Sequence, residues 1–115
     1  MIEASCHCGG VRLEIATAPE TVTDCRCSTC RKLGALWAYY HPKQVKLTPS
    51  AGGTDVYMCS DRVLKFHRCK FCGCITHWAD IDPEADRMAV NARLMEPEVL
   101  AAARVRISAG PSPPT

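Results

Sequence analysis

The stretch Cys6-His7-Cys8-Gly9-Gly10-Val11-Arg12-Leu13-Glu14-Ile15 holds the two features from which this fold can be read. Its first half sets two thiols one residue apart beside a flexible Gly-Gly turn. Its second half alternates apolar and charged side chains, the period of a half-buried strand. A C-x-C pair is poorly placed to close on itself, because disulfide geometry is narrow. Two such thiols can converge on one tetrahedral ion, since metal–sulfur bonds of ~2.3 Å accept many chain routes.

The remaining thiols follow the same logic. The chain has 115 residues and nine cysteines. They fall into Cys6-x-Cys8, Cys25-x-Cys27-x-x-Cys30 and Cys69-x-x-Cys72, with Cys59 and Cys74 left over. A secreted disulfide scaffold predicts a signal peptide and an even count. Here the count is odd, and Met1 to Cys6 shows no basic region followed by an apolar run. The expected compartment is therefore the reducing cytoplasm.

Leu, Ile, Val and Phe supply only about a fifth of the chain, a share too lean to hold a domain without covalent or metal staples. One ion joining residues 6–8 to residues 69–72 would close most of the chain into a loop and stabilise it where a large core cannot. No run approaches the ~20 apolar residues that span a bilayer, so no membrane segment is expected. Cysteines, prolines and glycines interrupt every stretch long enough for coiled-coil heptads. A net charge of +2 and a pI near 8.1 lack the concentrated charge of nucleic-acid binders, so no nucleic-acid partner is expected.

Short strands are expected over residues 11–15, 22–23, 35–40, 45–47, 54–58, 63–67, 75–78 and 88–94. Residues 28–33 read as a single helical turn, capped by Asp24 or Ser28 and ended by Gly34. Residues 98–104 read as helix, and 105–107 equally as a last strand. The fold class is mainly β: one small antiparallel domain over residues 1–109, stapled by zinc. Residues 110–115, rich in proline, read as a disordered tail.

The cysteines divide into two sets with different chemistry. Cys6, Cys8, Cys69 and Cys72 make a closed tetrahedral set, which reads as structural zinc. Four thiolates leave two excess negative charges on a divalent ion. Arg12, Arg68, Lys70 and backbone N–H groups around Gly9, Gly10 and Gly73 stand nearby to offset them. Cys25, Cys27 and Cys30 supply three ligands and leave one position open, as catalytic or exchangeable sites do. Arg26, Arg31 and Lys32 surround this triplet and would draw in an anionic thiol. Two other readings stay open. A fourth protein ligand, from Cys59, Cys74 or a histidine, would make the triplet a second structural site. A metal-free triplet could instead form a Cys27–Cys30 or Cys25–Cys30 disulfide.

Other residues carry blander readings. Cys59 and Cys74 read as small buried hydrophobes or bystander thiols. His67 and His77 read as neighbours of ligands or surface residues, and His7 as solvent-facing. Trp37, Tyr39, Tyr40 and Trp78 read as core and wall, and Asp80, Asp82, Glu84 and Asp86 as a solvated acidic loop.

Ser5-Cys6-His7-Cys8-Gly9-Gly10-Val11-Arg12, Cys25-Arg26-Cys27-Ser28-Thr29-Cys30-Arg31-Lys32 and Cys69-Lys70-Phe71-Cys72-Gly73 together resemble the glutathione-dependent formaldehyde-activating enzyme family, whose domain also occurs in centromere protein V. Val90-Asn91-Ala92-Arg93 and Val105-Arg106-Ile107 are similar to its late strands. The resemblance implies an Mss4-like β fold, a structural zinc on Cys6, Cys8, Cys69 and Cys72, and a catalytic zinc on Cys25, Cys27 and Cys30. It further implies a carbon–sulfur lyase that joins glutathione and formaldehyde into S-hydroxymethylglutathione. The expected partners are thus a small thiol such as glutathione and a small electrophile. A non-catalytic zinc-binding interaction module and a thiol redox switch are the alternative functions, because membership of a family does not fix activity.

Overall fold

β1 (Ile2–Ser5) and β2 (Arg12–Ile15) form an antiparallel hairpin in the computed structural model of the chain, which describes residues 1–49, 53–58 and 63–109. β2 follows its alternation: Leu13 and Ile15 are buried, while Arg12 between the cysteine turn and Leu13 is exposed. β1 carries no such signal, since only Ala4 is buried within it. Pairing from Ile2↔Ile15 to Ser5↔Arg12 and a bridge from Ala4 to Met95 hold it in place.

The chain continues through β3 (Thr21–Cys25), α1 (Ser28–Leu33), β4 (Trp37–Tyr40) and, after a 3-10 turn at Pro42–Gln44, β5 (Val45–Thr48). β6 (Thr54–Met58), β7 (Leu64–Cys69), β8 (Ile75–Asp80), β9 (Met88–Asn91), α2 (Pro97–Ala102) and β10 (Arg104–Ser108) follow. β5 joins the first hairpin in a small sheet ordered β1-β2-β5. The other strands make a seven-stranded sheet ordered β10-β3-β4-β9-β8-β7-β6.

The fold is mainly β, as expected, with one exception to antiparallel order: β10 lies parallel to β3, from Arg104↔Thr21 to Ser108↔Cys25. Residues 98–107, ambiguous between helix and strand, contain both, because α2 ends at Ala102 and β10 starts two residues later. The strand expected to reach residue 94 stops at Asn91, whose side chain takes the Arg93 N–H and starts a 3-10 turn. The expected helix cap is also corrected. Cys27, not Ser28 or Asp24, caps α1 by accepting the Cys30 N–H, and Gly34 ends it at φ 71°. Residues 110–115 lie outside the described residues.

The large sheet carries a buried cluster on each face. One packs on the small sheet through Val11, Leu13, Ile15, Val22, Ala38 and Val90. The other carries Trp37, Phe66, Trp78 and Ala89 together with Cys25, Cys27 and Cys30. Alternation along β4 makes this division, sending Ala38 and Tyr40 to the first core and Trp37 to the second. Among the described residues no helix is long and apolar enough to cross a membrane.

Candidate metal centres

Two hairpin tips build the first cluster. Between β1 and β2, Gly9 N–H donates to the Cys6 carbonyl at 3.0 Å, curling Cys6 and Cys8 toward one point. Between β7 and β8, Gly73 N–H donates to the Cys69 carbonyl at 3.0 Å and does the same for Cys69 and Cys72. The four sulfurs all lie within 4.8 Å of one another. Cys8 Sγ stands 3.6 Å from both Cys6 Sγ and Cys69 Sγ. A tetrahedron with metal–sulfur bonds of ~2.3 Å has edges of ~3.8 Å, so the donor set fits one zinc-sized ion.

Backbone amides reach all four sulfurs, and their effect prevails at Cys69 and Cys72. At Cys8 the Gly10 N–H is outweighed by the Cys69 and Cys6 thiols and burial, which leave it raised to about 12. Val11, Gly10 and Phe71 N–H groups donate to Cys6, Cys8 and Cys69 Sγ at 3.3, 3.4 and 3.4 Å. The Cys74 and Cys8 N–H groups bring the Cys72 thiol down to about 5. The Cys72 and Phe71 N–H groups lower Cys69 in the same way. The cations expected to share this task are engaged elsewhere. Arg68 and Lys70 reach Asp55 at 3.8 and 4.0 Å, and Arg12 donates to the Gly9 carbonyl at 3.5 Å. Cys74 stays outside the four-sulfur set but borders it. The His7 N–H draws its pKa down, yet burial and the Cys72 and Cys6 sulfurs leave it raised.

The second cluster is built by the end of β3 and the start of α1. Cys25 closes the strand, Cys27 caps the helix and Cys30 lies in its first turn. Their sulfurs also lie within 4.8 Å of one another, and all three residues are buried. Trp37 Nε1–H donates to Cys30 Sγ at 3.3 Å, and Cys30 N–H donates to Cys27 Sγ at 3.4 Å. Arg26 N–H donates to the Ser108 carbonyl at 2.6 Å, tying the loop between Cys25 and Cys27 to β10. Burial raises the Cys25 and Cys30 thiols. Burial also works against the Cys27 thiolate, but the Cys30 N–H and the Cys30 and Cys25 thiols leave its pKa lowered.

Among the described residues no fourth His, Cys, Asp or Glu joins this triplet. Cys74 sits by the other cluster, and Cys59 lies outside the described residues. Every described cysteine is free. Arg26, expected to attract an anion, pairs with Asp24 at 3.0 Å, while Arg31 and Lys32 are exposed on α1.

The structure also assembles groups that the sequence left apart. His77 is 3% exposed and its ring stacks on His67 at 4.2 Å. Thr76 Oγ1–H donates to the His67 carbonyl at 3.3 Å, so its oxygen accepts from His77 Nδ1–H at 2.9 Å. Burial first, and the neighbouring His67 second, bring His77 down to about 3. On the triplet's own sheet face, the Arg87 guanidinium covers the rings of Tyr39 and Trp78. No motif announces this contact, because it joins a loop to two strands through register alone.

The sequence profile described as glutathione-dependent formaldehyde-activating enzyme matches residues 1–108. A crystal structure of a Rhodobacter sphaeroides protein is similar to this chain with a TM-score of 0.72 at 25% identity, covering 91% of this chain and 100% of that one. Among curated proteins, none matches. A profile match running through both cysteine clusters and all ten strands places the chain in the glutathione-dependent formaldehyde-activating enzyme family.

Proposed function

We propose that this chain is a zinc-dependent carbon–sulfur lyase-type enzyme acting on the adduct of a glutathione-like thiol and a small aldehyde such as formaldehyde. In this reading Cys6, Cys8, Cys69 and Cys72 hold a structural zinc, and Cys25, Cys27 and Cys30 hold a catalytic one. The observation that carries it is the difference between the clusters: four converging sulfurs in one, three buried sulfurs with no fourth donor among the described residues in the other. The family's description supplies the substrate class.

The chemistry is an addition. The thiol gives up its proton, its sulfur forms a bond to the carbonyl carbon, and the carbonyl oxygen takes a proton to become a hydroxyl. Zinc held by Cys25, Cys27 and Cys30 would supply Lewis-acid chemistry that favours the thiolate over the thiol. In this reading the Trp37 N–H, donating to the Cys30 sulfur, orients that sulfur toward the ion the three thiols would hold. Trp37, Phe66 and Trp78 form an apolar floor beneath the cluster that keeps bulk water from its inner side.

Metal analysis with a mild chelator tests this reading. Two zinc ions per chain are expected, one leaving under mild chelation without unfolding and taking turnover of glutathione with formaldehyde with it. One tightly held ion and three free thiols would instead favour the interaction module or the redox switch.

A further inference from the structure

The face of the large sheet that carries the triplet also carries a cation with no carboxylate partner among the described residues. In β4, Trp37 and Tyr39 point to the same side, and the register places Tyr39 opposite Ala89, Ala89 opposite Trp78 and Trp78 opposite Phe66. Trp37 stands opposite Thr23, two residues before Cys25 on β3. The Tyr39 hydroxyl lies close to the Thr23 side chain and near enough to Cys25 and Cys30 to feel their charge. Above this row, the Arg87 guanidinium carbon sits 5.1 Å from the Tyr39 ring centre and 5.6 Å from that of Trp78. The two rings meet edge to face at 6.1 Å.

Cation–π contact with the two rings holds the guanidinium in place, and its N–H donors offer the fork that matches a carboxylate. Among the described residues no carboxylate pairs with Arg87. Arg106 extends the positive border, since its Nη2 donates to Thr23 Oγ1 at 3.2 Å on the same face. Arg26 offers less, because Asp24 already neutralises it.

We propose that Arg87, braced on the rings of Tyr39 and Trp78, binds a carboxylate of the thiol compound whose sulfur enters the three-cysteine site. The ligand class is a low-molecular-weight thiol acid, and the assignment rests on the thiol-binding reading above. Arg87 thereby selects substrates by charge, whereas the triplet selects by sulfur.

Calorimetric titration of the zinc-loaded wild type, Arg87→Ala and Arg87→Lys tests this with three probes. Glutathione carries thiol and carboxylates, S-methylglutathione keeps the carboxylates with its sulfur capped, and 2-mercaptoethanol is a thiol with no carboxylate. Loss of one charge-assisted pair weakens binding roughly tenfold to a hundredfold. That loss is expected for glutathione and S-methylglutathione in Arg87→Ala, with 2-mercaptoethanol unchanged. Arg87→Lys, which keeps the charge without the fork, falls between. Equal S-methylglutathione affinity in wild type and Arg87→Ala overturns the subsite, as does a matching loss for 2-mercaptoethanol. Arg87-dependent binding of S-methylglutathione by a protein that takes no 2-mercaptoethanol sustains the subsite and overturns the thiol-binding reading instead.

Discussion

The indole N–H of Trp37 ends on the sulfur of Cys30 at 3.3 Å, so a side chain with 1% exposure in the sheet core directly steers a candidate metal ligand. Buried N–H donors to a sulfur both orient it and stabilise its charge.

Replacing Trp37 with Phe keeps most of the ring but removes that donor. Metal at the three-cysteine site should then be held about tenfold to a hundredfold more weakly. Global stability should fall by about 1–3 kcal/mol from the lost bond and the smaller ring. Competition with a chromophoric chelator measures the first effect and denaturant titration the second. Unchanged metal retention would mean that the indole serves packing alone.

The two clusters should also respond differently to loss of one sulfur. Cys27 is both a cluster member and the cap of α1, and serine is a better helix cap than cysteine. Cys27→Ser should therefore leave the thermal midpoint near wild type while removing one metal ion per chain and abolishing turnover. Cys72→Ser strips the clamp between the β1–β2 and β7–β8 tips, and binding of structural zinc can be worth about 10–16 kcal/mol in small folds. That variant should be unfolded or nearly so. Matching midpoints for the two variants would remove the division of labour proposed for the clusters.

Much of this architecture was legible because metal-ligand spacing and strand alternation are local signals. Val11 to Ile15 announced β2, Gly34 announced the end of α1, and the three cysteine motifs announced which thiols would gather. What escaped was set by partners distant in the chain. Ile2–Ser5 is a strand because β2 pairs with it, not because its own residues alternate. β10 could not be separated from helix by pattern, since its residues are mostly exposed and its parallel mate β3 lies some eighty positions earlier. The seat of Arg87 on Tyr39 and Trp78 likewise depends on register across β4, β9 and β8.

Gly73 closes the β7–β8 tip at φ 80°, and a Cβ there would meet nothing within 4 Å. The cost of Gly73→Ala is therefore conformational rather than steric, about 1–2 kcal/mol for a left-handed backbone. Gly73→Asn should cost less, because asparagine tolerates this region better. Denaturant titration of the zinc-loaded proteins should rank wild type above Asn and Asn above Ala. Equal stabilities would indicate that the tip can relax without disturbing Cys69 and Cys72.

The stack of half-buried His67 on buried His77 makes a prediction about acid. His77 lies at about 3 in the folded protein and near 6.5 when unfolded. Between those values the unfolded chain binds the extra proton, so this group's contribution to stability is complete above about pH 6.5 and is lost as the pH falls below it. The slope reaches about 1.4 kcal/mol per pH unit for one proton. His77→Gln removes the titration while keeping a polar side chain beside Thr76. Zinc loss in acid weakens both proteins, so the comparison between them isolates the histidine. From pH 7.5 to 5.5, wild type should lose about 1 kcal/mol more stability than the variant at equal total zinc. Parallel pH profiles would show that His77 accepts its proton in place, which requires the stack with His67 to open before the fold does.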